Sequence, residues 1–142
     1  MKTTKDLVGY YYTKIVKSLK YLNYSYDKVK KLPTHPNQLS DSELELWDGF
    51  STRFARSSDL FLSKYIKAYI LADDPAFDGK FRDLLNKAEK YKLIESSIPW
   101  IEIRELRNIV VHEYSDEDLD KILQKMVKLT PLILELEKRL SV

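Results

Sequence analysis

The residues best suited to chemistry lie in one short stretch towards the end of the chain. Arg107 and Asn108 are followed, after three residues, by His112, and Tyr114 comes two positions later. A guanidinium can hold two phosphate oxygens with paired hydrogen bonds, and an imidazole can take or give a proton near neutral pH. This set suits metal-independent cleavage of an RNA phosphodiester, in which the ribose 2′-hydroxyl attacks phosphorus while the phosphate gathers charge.

A helix is expected to hold these side chains on one face. The fourth helical segment is predicted to begin with Ser96 or Ser97 as its N-cap, with Pro99 in its first turn, and to reach about Glu113. At about 100° per residue, its aliphatic side chains fall on one side and its polar side chains on the other. The polar side chains are those of Arg104, Arg107, Asn108 and His112.

The position of His112 at the predicted helix end leaves two interpretations open. The helix dipole there favours a protonated imidazole, which fits a residue that exchanges protons with a substrate. A histidine at a helix end is also commonly a structural cap, and arginines beside the acidic Glu105 are commonly a solvated, ion-paired surface. The spacing alone does not choose between a catalytic and a structural role.

Composition restricts the class of protein. With 142 residues, 44% of them hydrophobic, and only 3 glycines and 5 prolines, the chain is expected to form one helical domain over residues 1–142. The 24 basic and 22 acidic residues nearly balance, so contact with nucleic acid would need a local basic patch.

The absence of cysteine excludes disulfides and thiolate sites. No metal or other cofactor is predicted, and no apolar run approaches the ~18 residues of a membrane span, so a cytoplasmic protein is expected.

The spacing of apolar residues predicts the other helices. The segments run from about Asp6 to Leu32, from a capping box at Ser40 to about Leu71, from about Lys80 to Lys92, and from Ser115 to Leu140. Alternating steps of three and four residues along three of them indicate heptad-like seams, and Pro131 is expected to kink the last helix. The predicted inward residues of that helix are Leu119, Ile122, Met126, Leu129, Ile133, Leu136 and Leu140. The predicted fold class is all-α, an antiparallel up-and-down bundle of four to five helices.

The first helix also carries an unusual number of tyrosines, at positions 10, 11, 12, 21, 24 and 26. One interpretation places Tyr12 and Tyr26 in the core and the others at a subunit or partner surface. The alternative is that the tyrosines interleaved with lysines stack on RNA bases.

The spacing of Arg107, Asn108, His112 and Tyr114 resembles the Arg-(four residues)-His-x-Tyr motif of HEPN-domain proteins. Upstream, Trp100 and Leu106 also match. The segment Ser18-Leu19-Lys20-Tyr21-Leu22 and the pair Arg53-Phe54 look like the HEPN branch of nucleotidyltransferase substrate-binding proteins, whereas Pro131-Leu132 resembles the HepT toxin branch. The resemblance covers roughly Ser18 to Leu140.

This resemblance implies a HEPN-like bundle that dimerises, so that two motifs face each other across a cleft. It implies that Arg107 binds phosphate, that His112 acts as base or acid, and that Asn108 orients the site. Arg104 is expected to widen the basic patch because of its helix position. In the HepT branch the motif tyrosine, here Tyr114, can be nucleotidylated by a partner enzyme. One departure is Val111, which stands where HEPN toxins often have a small residue and would narrow the cleft.

Three hypotheses follow for the function. The leading one is a homodimeric, metal-independent endoribonuclease that acts on RNA as the toxin of a pair with a minimal nucleotidyltransferase antitoxin. The alternative is a non-catalytic substrate-binding or regulatory subunit of a nucleotidyltransferase. The third is a structural helical adaptor, for which His112 would pack inside a monomer.

Overall fold

The computed structural model describes residues 3–109 and 113–140, and within these ranges the chain forms helices and no strand. The helices are α1 (Thr4–Val29), α2 (Asp41–Asp59), α3 (Ile66–Asp73), α4 (Phe81–Lys90), α5 (Ser97–Leu106), α6 (Asp116–Leu134) and α7 (Leu136–Leu140). A π-helical segment (Leu60–Tyr65) joins α2 directly to α3, and a 3₁₀ turn (Pro36–Gln38) precedes α2. The all-α prediction is confirmed.

The helix starts follow from local capping chemistry. Ser40 accepts a hydrogen bond from the backbone N–H of Glu43, whose carboxylate accepts one from the N–H of Ser40, which completes the predicted capping box. Ser115 caps α6 in the predicted place by accepting from the N–H of Asp118. Ser96, one of the two predicted caps, begins α5 by accepting from the N–H of Ile98.

Helix α1 packs antiparallel against α2. The hydroxyls of Ser18 and Ser57 lie 3.0 Å apart in the buried interface, and further along α1 the guanidinium of Arg53 reaches Ser25 at 2.8 Å. Contacts that move forwards along α1 thus move backwards along α2. The seam of α2 and its π-helical extension is formed by residues at alternating steps of three and four, all of them completely buried: Trp47, Phe50, Phe54, Ser57 and Phe61. The small side chain of Ser57 lets the two helices approach closely.

The buried seam of α6 differs in phase from the predicted one. Leu119, Met126 and Ile133 are buried as predicted, but Leu123 and Thr130 fill the positions expected for Ile122 and Leu129, which are only partly buried. Thr130 tolerates burial because its hydroxyl donates to the carbonyl of Met126 at 2.7 Å. The prediction was wrong for Ile122 and Leu129, which lie next to the buried seam of α6 and not in it.

The predicted last helix, from Ser115 to Leu140, is divided into α6 and α7, and Pro131 lies inside α6. The helix continues to Leu134 and the break comes at Glu135, whose N–H still donates to the Pro131 carbonyl at 3.1 Å. Proline removes only its own backbone donor, so the following turn keeps its hydrogen bonds. None of the helices in the described parts of the chain is long and apolar enough to cross a membrane.

Candidate functional site

The helix that was expected to carry the whole motif is shorter than predicted. Helix α5 ends at Leu106, and the N–H of Arg107 closes the last turn on the Ile103 carbonyl at 3.1 Å. The N–H of Ile109 then bonds to the Leu106 carbonyl at 3.2 Å, in a turn. The prediction that one helix extends to about Glu113 is therefore wrong.

The local sequence accounts for this early end. Asparagine competes with the helix through hydrogen bonds from its own side chain, and the β-branched Ile109 has a lower helix propensity than straight-chain residues. Asn108 thus lies beyond the helix and not on its polar face. The predicted site residue His112, together with Val110 and Val111, lies outside the described residues.

Arg107 is held by the end of α2 and the π-helical segment. Its Nη1 donates to the carboxylate of Asp59 and, at 3.2 Å, to the hydroxyl of Ser63. The Ser63 hydroxyl in turn donates to Asp59 at 3.3 Å. These three side chains form a closed hydrogen-bonded group, which we call the Arg107 cluster. The side chain of Arg107 remains 24% exposed and that of Asp59 remains 56% exposed.

The π-helical segment between α2 and α3 keeps the aromatic side chains that follow Ser57 in the core. From Ser57 onwards, the inward residues Phe61, Tyr65 and Tyr69 recur at every fourth position, so in an α-helix each step would rotate about 40° off the seam. A π turn, with its i→i+5 hydrogen bond from Ile66 to Phe61, takes up this excess. Phe61 and Tyr65 remain buried and stack with ring centroids 6.1 Å apart.

Aromatic packing fixes α5 against the same segment. The rings of Phe61 and Trp100 lie 4.7 Å apart, and both residues are almost completely buried. Ile103 and Leu106 continue this buried face towards the end of α5. Because α5 is anchored here, its C-cap residue Arg107 lies beside Asp59. Trp47 and Trp100 are both almost completely buried and anchor the packing of their helices.

Arg104 has a different neighbour. Its guanidinium carbon lies 3.9 Å from the centroid of the Phe81 ring at the start of α4. This is a cation–π contact, in which the positive group sits over the negative face of the ring. Arg104 and Arg107 therefore contact α4 and α2 respectively, and the structure does not bring their guanidinium groups to one common partner.

Among the other predicted site residues, Asn108 is exposed and Tyr114 is 40% exposed. Tyr114 precedes the N-cap of α6, so its phenol lies at a helix start that already carries three acidic residues, Asp116, Glu117 and Asp118. In residues 3–109 and 113–140, no group of three or more His, Cys, Asp or Glu side chains is arranged to hold a metal ion.

A comparison with known families bears on this arrangement. The model of the family described as "nucleotidyltransferase substrate binding protein like" matches residues 12–142. The chain belongs to this family. It is a HEPN-like helical family, which agrees with the all-helical bundle. Neither a curated protein nor a solved structure matches the chain.

In this member of the nucleotidyltransferase substrate binding protein like family, the Arg107 cluster contains two residues that the sequence did not predict as part of the site. Asp59 and Ser63 contact Arg107, although they lie 48 and 44 positions before it. The run of four-residue steps after Ser57 was a signal for the π turn, but nothing in the spacing pointed to α5 as its neighbour. The pairing depends on the tertiary contact of Phe61 with Trp100.

Proposed function

We propose that this chain is a non-catalytic helical subunit that binds a minimal nucleotidyltransferase and either holds its substrate or regulates it. The observation that carries the proposal is the family match over residues 12–142. The match extends over nearly the whole bundle, so the family relation is not confined to one short motif. The nucleotidyltransferase is the expected partner.

The contacts of Arg107 support this function over RNA cleavage. Its guanidinium already donates to the carboxylate of Asp59 and to the hydroxyl of Ser63. A phosphate that approaches Arg107 would meet the negative charge of Asp59, which weakens the attraction between the phosphate and the guanidinium. In this arrangement Arg107 links α5 to α2 instead of standing free to bind the phosphate of a transition state.

Tyr114 fits a regulatory role in the same complex. Its side chain is 40% exposed, so the hydroxyl can reach the active site of a partner enzyme. In the proposed modification, the phenolic oxygen forms a bond to the α-phosphorus of a nucleoside triphosphate. The bond from that phosphorus to the oxygen bridging the β-phosphate breaks, pyrophosphate leaves, and the phenolic proton passes to a base of the nucleotidyltransferase.

A metal-independent endoribonuclease, acting as a toxin, is the second candidate. The exposed fraction of Arg107 and the spacing from Arg107 to His112 favour it. It requires a homodimer in which Arg107 and His112 of two copies act on one RNA, with Asn108 orienting the site and Arg104 adding positive charge. It also requires the RNA phosphate to compete with Asp59 for the Arg107 guanidinium.

Co-expression tests the leading proposal. The chain is expressed with an affinity-tagged minimal nucleotidyltransferase from the same genome, and the eluate is examined for both proteins and for an added nucleotide on Tyr114. We expect the two proteins to elute together, with the added mass lost in a Tyr114→Phe variant. Separate elution under gentle salt would contradict the proposal.

The second candidate has its own assay. Purified chain is incubated with RNA in EDTA, and wild type is compared with Arg107→Ala and His112→Ala. The leading proposal predicts no cleavage above the level of the two variants, and expression alone is expected to leave bacterial growth unchanged. EDTA-resistant cleavage that both substitutions abolish would establish the nuclease instead.

A further inference from the structure

The outer face of α1 carries tyrosines and lysines and almost no carboxylate. The tyrosines and lysines exposed on this face are Tyr10, Lys14, Lys17, Lys20, Tyr21, Tyr24 and Lys28. The only acidic residue of α1 between Tyr10 and Lys28 is Asp27, which lies at the edge of this face, two turns after Lys20, and pairs with Lys30 at 3.0 Å. We call this set the α1 stripe. At 1.5 Å per residue it extends for about 27 Å.

Cations contact the tyrosines along the whole stripe. The ammonium groups of Lys14 and Lys28 lie 5.0 and 4.3 Å from the ring centroids of Tyr10 and Tyr24. Contact with Lys28 lowers the pKa of Tyr24, first through a hydrogen bond and then through its positive charge. These contacts hold rings and cations next to each other before any ligand arrives, which reduces the ordering cost of binding.

Arg53 of α2 extends the stripe across the groove between the two helices. Its guanidinium carbon lies 5.4 Å from the Tyr21 ring centroid, while Nη1 donates to the Tyr21 carbonyl at 3.1 Å and to Ser25 at 2.8 Å. The guanidinium is thereby fixed over an aromatic ring. Tyr21 and Tyr24 are nevertheless 47% and 60% exposed, so much of each ring faces solvent.

Gly49 lies on the α2 side of this groove, and its lack of a side chain leaves the groove open there. A glycine inside a helix costs roughly 1 kcal/mol relative to alanine. Packing does not require it here, since a Cβ placed on Gly49 would meet no atom within 4 Å. Gly49 lines the same depression as Tyr24, Lys28 and Arg53, with Glu45 as the single carboxylate on its rim. A missing side chain at this point gives a ligand close access to the helix.

We propose that the α1 stripe and its groove with α2 bind single-stranded nucleic acid. Proteins that hold single strands without strong sequence preference combine a cationic track for the phosphates with aromatic rings on which bases stack, and the stripe has both. A protein partner is less well matched, because protein interfaces are depleted in lysine and this face exposes four lysines among three tyrosines. This site includes no residue of the Arg107 cluster.

A fluorescence-anisotropy titration tests this site directly. The probe is a labelled 16-nucleotide oligouridylate in EDTA at low salt, with the same sequence in a duplex as competitor. Tyr21→Leu/Tyr24→Leu keeps apolar bulk but removes two stacking rings, so its Kd should rise about tenfold or more. Lys17→Gln/Lys28→Gln removes two phosphate contacts, so the slope of log K against log salt should fall by about 1.4.

The matched control is Lys121→Gln/Lys128→Gln, which removes the same charge from exposed positions of α6. It should leave the Kd within about twofold of wild type and should leave the salt slope unchanged. Circular dichroism establishes that the variants fold, and all six substituted side chains are solvent-exposed. Equal losses from the α1 and α6 lysine pairs would mean binding by general charge and would overturn the proposal.

Two further outcomes would also overturn it. The first is no binding of the oligouridylate at low salt, and the second is loss of a nucleotidyltransferase contact in the tyrosine variant while oligonucleotide binding stays unchanged. An Arg107→Ala variant should bind the oligonucleotide as wild type does. The failure of this proposal is therefore distinguishable from the failure of the proposed partner function.

Discussion

The guanidinium of Arg107, at the C-cap of α5, donates a hydrogen bond to the carboxylate of Asp59, the last residue of α2. Ser63, one turn further along the π-helical segment, contacts both groups. The arginine of the predicted motif is therefore part of the junction between α2 and α5. A phosphate bound by Arg107 would therefore share the guanidinium with the Asp59 carboxylate or replace it.

The stability of the junction can be measured with a double-mutant cycle. We expect Asp59→Asn and Arg107→Gln to show a coupling free energy of about 0.2–1 kcal/mol, because more than half of the Asp59 side chain is exposed and solvent weakens the pair. Urea unfolding of the two single variants and the double variant gives the value. The coupling should decrease in high salt.

The same Asp59→Asn variant has a functional readout. It keeps the shape of the side chain but removes the charge that competes with phosphate for Arg107. If the second candidate function is latent, EDTA-resistant RNA cleavage should rise in Asp59→Asn and vanish in Asp59→Asn/Arg107→Gln. In the unfolding experiment described above, additive effects of Asp59→Asn and Arg107→Gln on the free energy of unfolding would contradict the existence of the pair in solution.

Packing of the π-helical segment on α5 should dominate the local stability. Phe61 is completely buried against Trp100, so Phe61→Ala removes a large ring and leaves a cavity. We expect a loss of about 3–5 kcal/mol in the free energy of unfolding, and a smaller loss of about 1–1.5 kcal/mol for Phe61→Leu. Chemical denaturation measures both. Equal, small effects of the two substitutions would show that the rings are not packed together.

Because α1 and α2 approach closely at Ser57, a larger side chain there should reduce the free energy of unfolding more than a smaller one. Ser57→Ala should cost only about 0.5–1.5 kcal/mol, because the Ser18 hydroxyl keeps its hydrogen bond to the Ile15 carbonyl at 2.8 Å. Ser57→Leu would force the helices apart and should cost more, about 1–3 kcal/mol. Thermal unfolding of the two variants compares them. A leucine variant as stable as the alanine variant would refute the close contact.

The alkaline titration of Tyr91 tests the contact between α3 and the end of α4. Its hydroxyl donates to the Asp73 carboxylate, and this hydrogen bond, with burial and nearby carboxylates, raises the pKa of Tyr91 to about 12. The folded state thus holds the proton more tightly than the unfolded chain, whose tyrosine pKa is about 10. The stabilisation is fully present below pH ~10 and is lost as the pH rises towards 12.

The difference between the tyrosinate absorbance curves of wild type and Tyr91→Phe isolates this residue. Its midpoint should lie near 12 and should move down towards the ordinary value when Asp73→Ala removes the acceptor. A midpoint near the ordinary tyrosine value in the presence of Asp73 would exclude the hydrogen bond.

Features that depend on near neighbours in the chain were predictable. The caps at Ser40 and Ser115 require contacts over three residues, and both are present. The burial of Trp47 and Phe61 follows from apolar periodicity, which is a property of one helix and its hydrophobic face. The all-α class and the antiparallel pairing of α1 with α2 were predictable for the same reason.

Features that depend on distant neighbours were not. The pairing of Arg107 with Asp59 needs α5 to dock on the π turn, which is a result of ring packing between separate helices. The length of α5 was overestimated because periodicity continues past Leu106, although Asn108 and Ile109 weaken the helix there. The phase of α6 was ambiguous because Ile122 and Leu123 are adjacent apolar residues, and tertiary packing selects between them.

Calorimetric titration of the purified chain with a minimal nucleotidyltransferase from the same genome is the most direct test of the central claim. We predict a saturable complex with a Kd below about 1 μM, which corresponds to roughly 8 kcal/mol of binding free energy. The absence of binding heat at several temperatures, together with separate sedimentation of the two proteins, would contradict the assignment of this bundle as a nucleotidyltransferase-binding subunit.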